Sequence, residues 1–375
     1  MAIAPIEQHD ERFMAAAIRL SQRHVGLTGS NPSVGALVVR FDGAGAPLVV
    51  ARGVTAGGGR PHAEVVALSE AGDAARGATV YVTLEPCSHH GLTPPCASAL
   101  LRAGVKRVVV ALGDPDMRVD GRGFAMLRAG GVEVVEHVGA ADARDPLAGF
   151  MSRMRTGRPL LTVKVAVSAD GGIALAGHRP VQISSPIANA QTHLVRARSD
   201  VILVGVGTVE SDDPMLTCRL PGLENRSPVR VVYDPALRTR VDRQLVSTAR
   251  EVPTIFAIRE SISEERLAAF REAGCEFLPL AEGEGPEALL RHLGERRASS
   301  VLFEAGERFG RAVLDAGLAD RIVVVHAPLT LGPGRVVSPV RDDHLSAMRL
   351  TREERFGCDI WREYERIESP CLPVS

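Results

Sequence analysis

Short apolar runs alternate with amphipathic stretches along nearly the whole chain, a pattern that predicts α/β layers and neither a barrel nor an all-helical bundle. Glu11–Ser21 reads as a first helix, Asn31-Pro-Ser-Val-Gly as a turn feeding a strand that runs to Arg40, and Leu48–Gly53 as its hairpin partner. Pro61-His62-Ala63-Glu64 opens a helical run through Val65–Leu68, and Thr83-Leu84-Glu85-Pro86-Cys87 closes a strand begun at Ala78. A helix over 97–104 and a strand over 105–112 follow, then a helix over 123–130 and a strand over 132–136. The 105–112 run is almost wholly apolar, which implies burial on both faces. From about Asp142 to Arg158 the chain is richer in charge and ends in Arg-Thr-Gly-Arg-Pro, a boundary signal; the β/α alternation then restarts at Leu160. Further strands are expected at 160–168, 201–205, 229–234, 254–258, 300–304 and 321–326.

Length turns this pattern into two domains, because 375 residues exceed one ordinary domain and fit two of about 150 to 200. The expected division is 1–148 and 149–375. With 44 Lys and Arg against 45 Asp and Glu, the net charge of −1 offers no broad attraction to nucleic acid or anionic lipid, so the expected partner is a small molecule. The first dozen residues lack an apolar signal core and no stretch approaches the roughly 20 apolar residues of a membrane span, so a cytoplasmic protein is expected. The cysteines agree: Cys218, Cys275, Cys358 and Cys371 are scattered without a disulfide-like spacing. A homo-oligomer is expected.

Cys87 and Cys96 belong to a different pattern. His62 with two thiols makes a three-ligand set for a tetrahedral Zn²⁺ whose fourth position is left to water, and Glu64 follows the histidine by two residues. Zinc lowers the pKa of water from about 15.7 to about 7, and a neighbouring carboxylate can carry the released proton to a leaving amine. That is the chemistry of zinc deaminases, whose signature is H-x-E followed by P-C-x-x-C. Here the two thiols stand eight residues apart instead of two, and the loop holds His89 and His90. A closed structural site of Cys87, Cys96 and the two histidines is therefore an alternative, though it leaves His62 and Glu64 without a purpose. Two further readings are a polynucleotide-editing deaminase, which needs a basic stripe and a P-C-x-x-C loop, and a zinc-stabilised binding module in which Glu64 merely favours a helix start.

Four blocks together, Asn31-Pro-Ser-Val-Gly, Pro61-His-Ala-Glu, the run from Thr83 to Cys96 and Asp114-Pro-Asp-Met-Arg-Val-Asp-Gly-Arg-Gly, resemble the bifunctional riboflavin-biosynthesis deaminase/reductase family. In the second half Lys164–Ile173, Ile183-Ser-Ser-Pro, Gly207–Thr217 and Glu304-Ala-Gly are similar to its reductase domain, so the likeness covers nearly the whole chain. The resemblance implies a cytidine-deaminase-like three-layer domain followed by a dihydrofolate-reductase-like α/β domain that uses NADPH. It implies two consecutive steps: hydrolysis of the 2-amino group of a ribosylaminopyrimidinone 5′-phosphate, then reduction of its ribose to a ribityl chain. His62, Cys87 and Cys96 would hold Zn²⁺ and Glu64 would shuttle the proton. Asn31 would orient the ring or ribose through its amide, although Asn-Pro is also ordinary turn chemistry.

For the reductase, Glu304-Ala-Gly306-Glu307-Arg308-Phe309-Gly310 lies between a strand and a helix expected to open at Arg311, so its backbone N–H groups could hold a cofactor phosphate. The same turn without a ligand occurs in many α/β proteins. The resemblance places NADPH also near Ala166, Thr208 and Asp212, and puts Gln182 where family members commonly carry a tryptophan, so that hydrogen bonding could stand in for the usual stacking contact. It assigns the substrate to Pro180, Arg196, Leu216 and Arg219, with Glu304 near the reacting ribose. Arginine's planar fork suits phosphate, while a solvated helix face is the other reading of Arg196. Lys164 sits in an apolar strand, where an unpaired ammonium is costly, so it is expected to face a polar site and to contact substrate or donate a proton.

Overall fold

The structure is a computed structural model that describes residues 9–89, 94–177 and 181–367; Pro180 and His90 lie outside these. The chain divides into two compact units, Met1–Arg155 and Thr156–Ser375.

The first unit is one five-stranded sheet with helices packed on it. Its elements are α1 (Asp10–Ser21), β1 (Gly35–Phe41), β2 (Pro47–Val54), α2 (Ala63–Ala71), β3 (Thr79–Leu84), α3 (Cys96–Ala103), β4 (Arg107–Leu112), α4 (Arg122–Ala129), β5 (Glu133–Val135) and α5 (Ala140–Thr156). The strand order is β2-β1-β3-β4-β5; β1 runs antiparallel to β2 and β3, whereas β3, β4 and β5 are parallel. Every residue of β3 and β4 is buried, as the unbroken apolar runs require for strands covered on both faces. Phe13, Met14, Ala17 and Ile18 of α1, Leu100 of α3, Leu127 of α4 and Leu147 of α5 close over the sheet in one core. An ion network pins this packing: buried Arg107 meets buried Asp10 at 2.8 Å and exposed Glu133 at 2.9 Å, and the Tyr81 hydroxyl donates to Asp10.

The two units part within Arg155-Thr-Gly-Arg-Pro, where the sequence signals a boundary, and not at 148/149, which falls inside helix α5. Asp142, Arg144, Asp145 and Pro146 obscure the pattern in the sequence, yet Ala143, Leu147 and Met151 recur every four residues and are buried.

The second unit contains β6 (Leu160–Val167), β7 (Gly172–Leu175), α6 (Pro186–Ala197), β8 (Val201–Gly205), α7 (Val206–Asp212), β9 (Val229–Tyr233), α8 (Gln244–Ser247), β10 (Thr254–Arg259), α9 (Glu264–Ala273), β11 (Glu276–Leu280) and α10 (Pro286–Glu295). It continues through β12 (Ser300–Glu304), α11 (Glu307–Asp315), β13 (Arg321–His326), β14 (Arg335–Val337), α12 (Asp342–Ser346), β15 (Met348–Phe356) and β16 (Asp359–Arg366). Nine strands form one sheet in the order β11-β10-β9-β8-β12-β6-β13-β16-β15, and β7 pairs with β14 separately. From β11 to β13 neighbouring strands are parallel; β16 and β15 are antiparallel additions. Strand β12 returns late in the chain to lie between β8 and β6, so strand order reverses there, and the crevice at the carboxyl ends of these three strands is where sheets of this kind take ligands. The β15–β16 hairpin escapes a periodicity reading because its exposed face is charged: Arg352 meets Glu363 at 3.0 Å and Arg362 meets Glu353 at 2.6 Å. Charges on an edge strand discourage pairing with other chains.

Candidate active sites

In the first unit three element ends converge. His62 is the N-cap residue of α2, Cys87 lies just beyond β3, and Cys96 is the first residue of α3. Helix α2 is drawn against β2 because Gly53 has no side chain; a Cβ there would sit 2.1 Å from the Ala63 carbonyl oxygen. His62 Nδ1 lies 3.3 Å from Cys96 Sγ and 3.8 Å from Cys87 Sγ. All three donor atoms fall within 4.8 Å of one another. A tetrahedral Zn²⁺ with bonds of about 2.0–2.3 Å places its ligands roughly 3.5–3.8 Å apart, so the donors fit that ion. Their electrostatics agree. Hydrogen bonding to Cys96 and to His62 pulls the Cys87 thiol down to about 4, whereas the bond to Cys87, burial and nearby Glu64 push Cys96 up. Two sulfurs competing for one proton are the environment that a dication relieves. Among the described residues His89 is not part of the cluster; the alternative set with His89 and His90 thus loses one member, and the other lies outside the described residues.

Glu64 is buried in the first turn of α2. Burial raises its carboxyl to about 7 against the opposing pull of His62. The carboxylate is thereby placed to exchange a proton near neutral pH.

Glu85 is a residue whose role the sequence reading does not assign. Its buried carboxylate accepts from the backbone N–H groups of Gly123 at 2.9 Å, Gly121 at 3.1 Å and Asp114 at 3.3 Å. It caps the N-terminus of α4 from outside that helix and fixes the 85–87 segment that delivers Cys87. Gly123 completes the fit: a Cβ there would come 2.1 Å from the Pro86 carbonyl oxygen and 2.9 Å from Glu85 Oε1. Gly123→Ala is therefore expected to displace Pro86-Cys87 and weaken zinc binding by about 10- to 100-fold, as other losses of outer support do. Competition with a chromophoric chelator measures this, and unchanged zinc affinity would rule out the coupling. Asn31 donates from Nδ2 to the Gly59 carbonyl oxygen at 3.1 Å, tying its turn to the one that precedes His62.

In the second unit Lys164 and Glu304 are partners in register on the parallel strands β6 and β12. Arg196 of α6 reaches Glu304 with both prongs, Nε at 2.7 Å and Nη2 at 2.9 Å, and donates from Nη1 to the Thr217 carbonyl oxygen at 3.0 Å. Arg196 is thus buried and fully engaged, and the solvated-face reading is excluded. Its fork is spent on a carboxylate instead of standing open for phosphate. Burial opposes the charge on Glu304, but Arg196 and then Lys164 outweigh it and hold the carboxyl at about 2. Burial also lowers the Lys164 ammonium from its usual value, with Glu304 opposing the shift and Arg196 adding to it. Lys164 therefore does face a polar site, as its cost in an apolar strand demands.

Leu216 and Phe309 depart from the simplest form of their expected roles. The Leu216 side chain is buried in the core, so only its main chain can face a ligand. Phe309 stacks on Tyr233 with ring centroids 4.2 Å apart and packs on Phe303, so it too offers backbone. Helix α11 opens at Glu307, four residues before the expected Arg311, with Gly306 as an N-cap that makes no side-chain cap bond. That leaves the first-turn N–H groups for an anion. A Cβ on Gly306 would lie 3.0 Å from Thr208 Oγ1, which brings the 304–311 turn and the start of α7 together. Asp212 is exposed at the end of α7, Arg308 and Arg311 are exposed, and Ala166 and Gly310 lie within the fold. Exposed Gln182 donates to the Ser184 carbonyl oxygen at 3.3 Å.

Residues 7–112 match the cytidine and deoxycytidylate deaminase zinc-binding region, and residues 159–361 match the RibD C-terminal domain. The chain belongs to the RibD family. It is 40% identical to riboflavin biosynthesis protein RibD of Escherichia coli over 335 residues, covering 86% of this chain and 89% of that one. Against RibD of Mycobacterium tuberculosis the identity is 37% over 335 residues, covering 88% of each. Among solved structures, Acinetobacter baumannii RibD superposes with a TM-score of 0.85 at 31% identity, covering 96% of this chain and 99% of that one. The Thermotoga maritima diaminohydroxyphosphoribosylaminopyrimidine deaminase/5-amino-6-(5-phosphoribosylamino)uracil reductase superposes with a TM-score of 0.82 at 31% identity over the same shares. The fold is accordingly a cytidine-deaminase-like domain followed by a RibD reductase domain. The protein is a bifunctional enzyme of small-molecule substrates, carrying out the zinc-dependent deamination and the NADPH-dependent reduction of riboflavin biosynthesis. Among the described residues no helix is long and apolar enough to cross a membrane.

Proposed function

We propose that His62, Cys87 and Cys96 hold one Zn²⁺ and that Glu64 is the proton shuttle of the deamination, a reading carried by three donors converging within 4.8 Å beside a buried carboxylate. Bound there, Zn²⁺ supplies a Lewis acid that lets water lose a proton near neutral pH. Glu64 takes that proton and returns it to the departing amine. Asn31 both holds its turn and, through its remaining amide atoms, orients the pyrimidine or ribose.

The reductase roles follow from charge. Bound NADPH supplies the hydride. Gly306, Glu307, Arg308, Phe309, Gly310 and Arg311 at the start of α11, with Ala166, Gln182, Thr208 and Asp212, form its site. Glu304, held as a carboxylate by Arg196, cannot donate a proton at neutral pH; Lys164, whose ammonium is weakened by burial, can. Exposed Arg219 takes the substrate phosphate, the Leu216 main chain flanks it, and Arg196 positions Glu304 beside the ribose. Lys164→Gln is expected to lower the reductase kcat about 100-fold or more, with ammonia release unchanged. A reductase kcat unaffected by this change would remove Lys164 as proton donor.

The overall reading is tested by giving the purified protein the diaminopyrimidine ribotide with and without NADPH. Ammonia release is expected in both cases, and NADPH oxidation only as the deaminated product accumulates. NADPH oxidation that precedes ammonia would reverse the order. A cytoplasmic location is supported by the unpaired thiols of Cys87, Cys96, Cys218, Cys275 and Cys358. A homo-oligomer is supported by exposed Leu48 and Val49 on the edge strand β2.

A further inference from the structure

Residues 215–219, between α7 and β9, form a loop whose main chain is held by four hydrogen bonds to side chains. The Met215 carbonyl oxygen accepts from Arg230 Nη1 at 3.2 Å and that of Thr217 from Arg196 Nη1 at 3.0 Å. The Cys218 N–H donates to Ser227 Oγ at 3.1 Å, and the Arg219 N–H donates to His193 Nδ1 at 3.2 Å. Such holding is needed. Leu216 has φ 53°, a left-handed conformation that a non-glycine residue keeps only where its surroundings enforce it.

His193 is the member of this set that holds the main chain of Arg219 itself. It is a buried imidazole on α6, three residues before Arg196 and so on the same helix face. Its own carbonyl oxygen accepts from Cys218 Sγ at 3.5 Å, which makes a second tie to the loop. To accept the Arg219 amide the ring must be neutral with its proton on Nε2. Burial, together with Arg196 and Arg219, pushes its pKa down to about 4, consistent with that state.

We propose that His193 is a positioning residue of the reductase: by accepting the Arg219 amide it sets the direction in which the exposed Arg219 guanidinium meets the substrate's phosphate. This rests on the reading of Arg219 as the phosphate ligand. Arg219 is otherwise tethered by Nη1 to Thr217 Oγ1 at 3.3 Å, a neighbour on the same loop. Arg196 cannot replace it, because its fork is closed on Glu304.

The test compares His193→Leu, His193→Asn and Arg219→Met in the full-length, zinc-loaded protein, with the deaminated ribotide and its dephosphorylated riboside as reductase substrates. His193→Leu is expected to raise the KM for the ribotide about tenfold, the value of one lost hydrogen bond to a binding loop, with kcat and the KM for NADPH nearly unchanged. Riboside kinetics are expected to stay as in the parent. His193→Asn is expected to restore the ribotide KM, since its Oδ1 can stand where Nδ1 stood. If Arg219→Met raises the ribotide KM and His193→Leu does not, the positioning role is refuted while Arg219 stands. If Arg219→Met leaves that KM unchanged, the phosphate reading fails and the proposal falls with it. Equal losses on ribotide and riboside without rescue by asparagine indicate general damage and also overturn it.

Discussion

The Glu64→Gln protein is expected to keep its zinc and lose at least about 10³-fold in the rate of ammonia release. Glutamine preserves the size and hydrogen-bonding reach of the side chain but cannot accept and return a proton, and general acid–base catalysis is worth about 10²–10⁴-fold for a transfer of this kind. The metal should stay because the ligating atoms come from His62, Cys87 and Cys96, while Glu64 lies in the first turn of α2 without belonging to the cluster. Reduction of the deaminated ribotide should be unaffected, since the reductase residues belong to the other unit. Zinc content by mass spectrometry, ammonia release and NADPH oxidation separate these effects. Ammonia release at the parental rate would remove Glu64 as shuttle.

Glu304→Gln has the largest expected effect in the second unit. Buried Arg196 pairs with this carboxylate, with half-buried Lys164 in register beside it, and removing one side of such a pair typically costs about 3–5 kcal/mol because the remaining charge stays desolvated. Denaturant unfolding should show that loss at neutral pH together with collapse of reductase activity. The pH dependence has a definite sign. The folded-state pKa of Glu304, about 2, lies below its ordinary value of 4.5. Its stabilisation is therefore present above pH 4.5 and fades as pH falls toward 2. The stability gap between parent and variant should narrow over that window. A gap that is absent at neutral pH would contradict the pairing on which the reductase account rests.

How much of this is legible in the sequence depends on where the partners lie. The zinc ligands sit at the ends of α2, β3 and α3 within one stretch of chain, so their residue types and spacing disclose them. Glu85 belongs to the same stretch, yet its role depends on α4 folding back to present Gly121 and Gly123, which no spacing reveals. The Arg196–Glu304 pair spans 108 residues and exists only because β12 returns to lie between β8 and β6. Periodicity predicts those strands but not their order. The same reason hides the hold of His193 on Arg219. Helix α5 and the β15–β16 hairpin were masked by local chemistry instead: a proline and charges in one, alternating arginine and glutamate in the other.

The central claim concerns a zinc ion held by one nitrogen and two sulfurs, and the most direct measurement is a crystal of the zinc-loaded protein with anomalous data collected at the zinc absorption edge. A single strong peak within bonding distance of His62 Nδ1, Cys87 Sγ and Cys96 Sγ, with no fourth protein atom in its coordination shell and Glu64 beside it, is the result expected. A peak bonded to His89 or His90 as well, or one that leaves His62 out, would show a closed structural site and contradict the account.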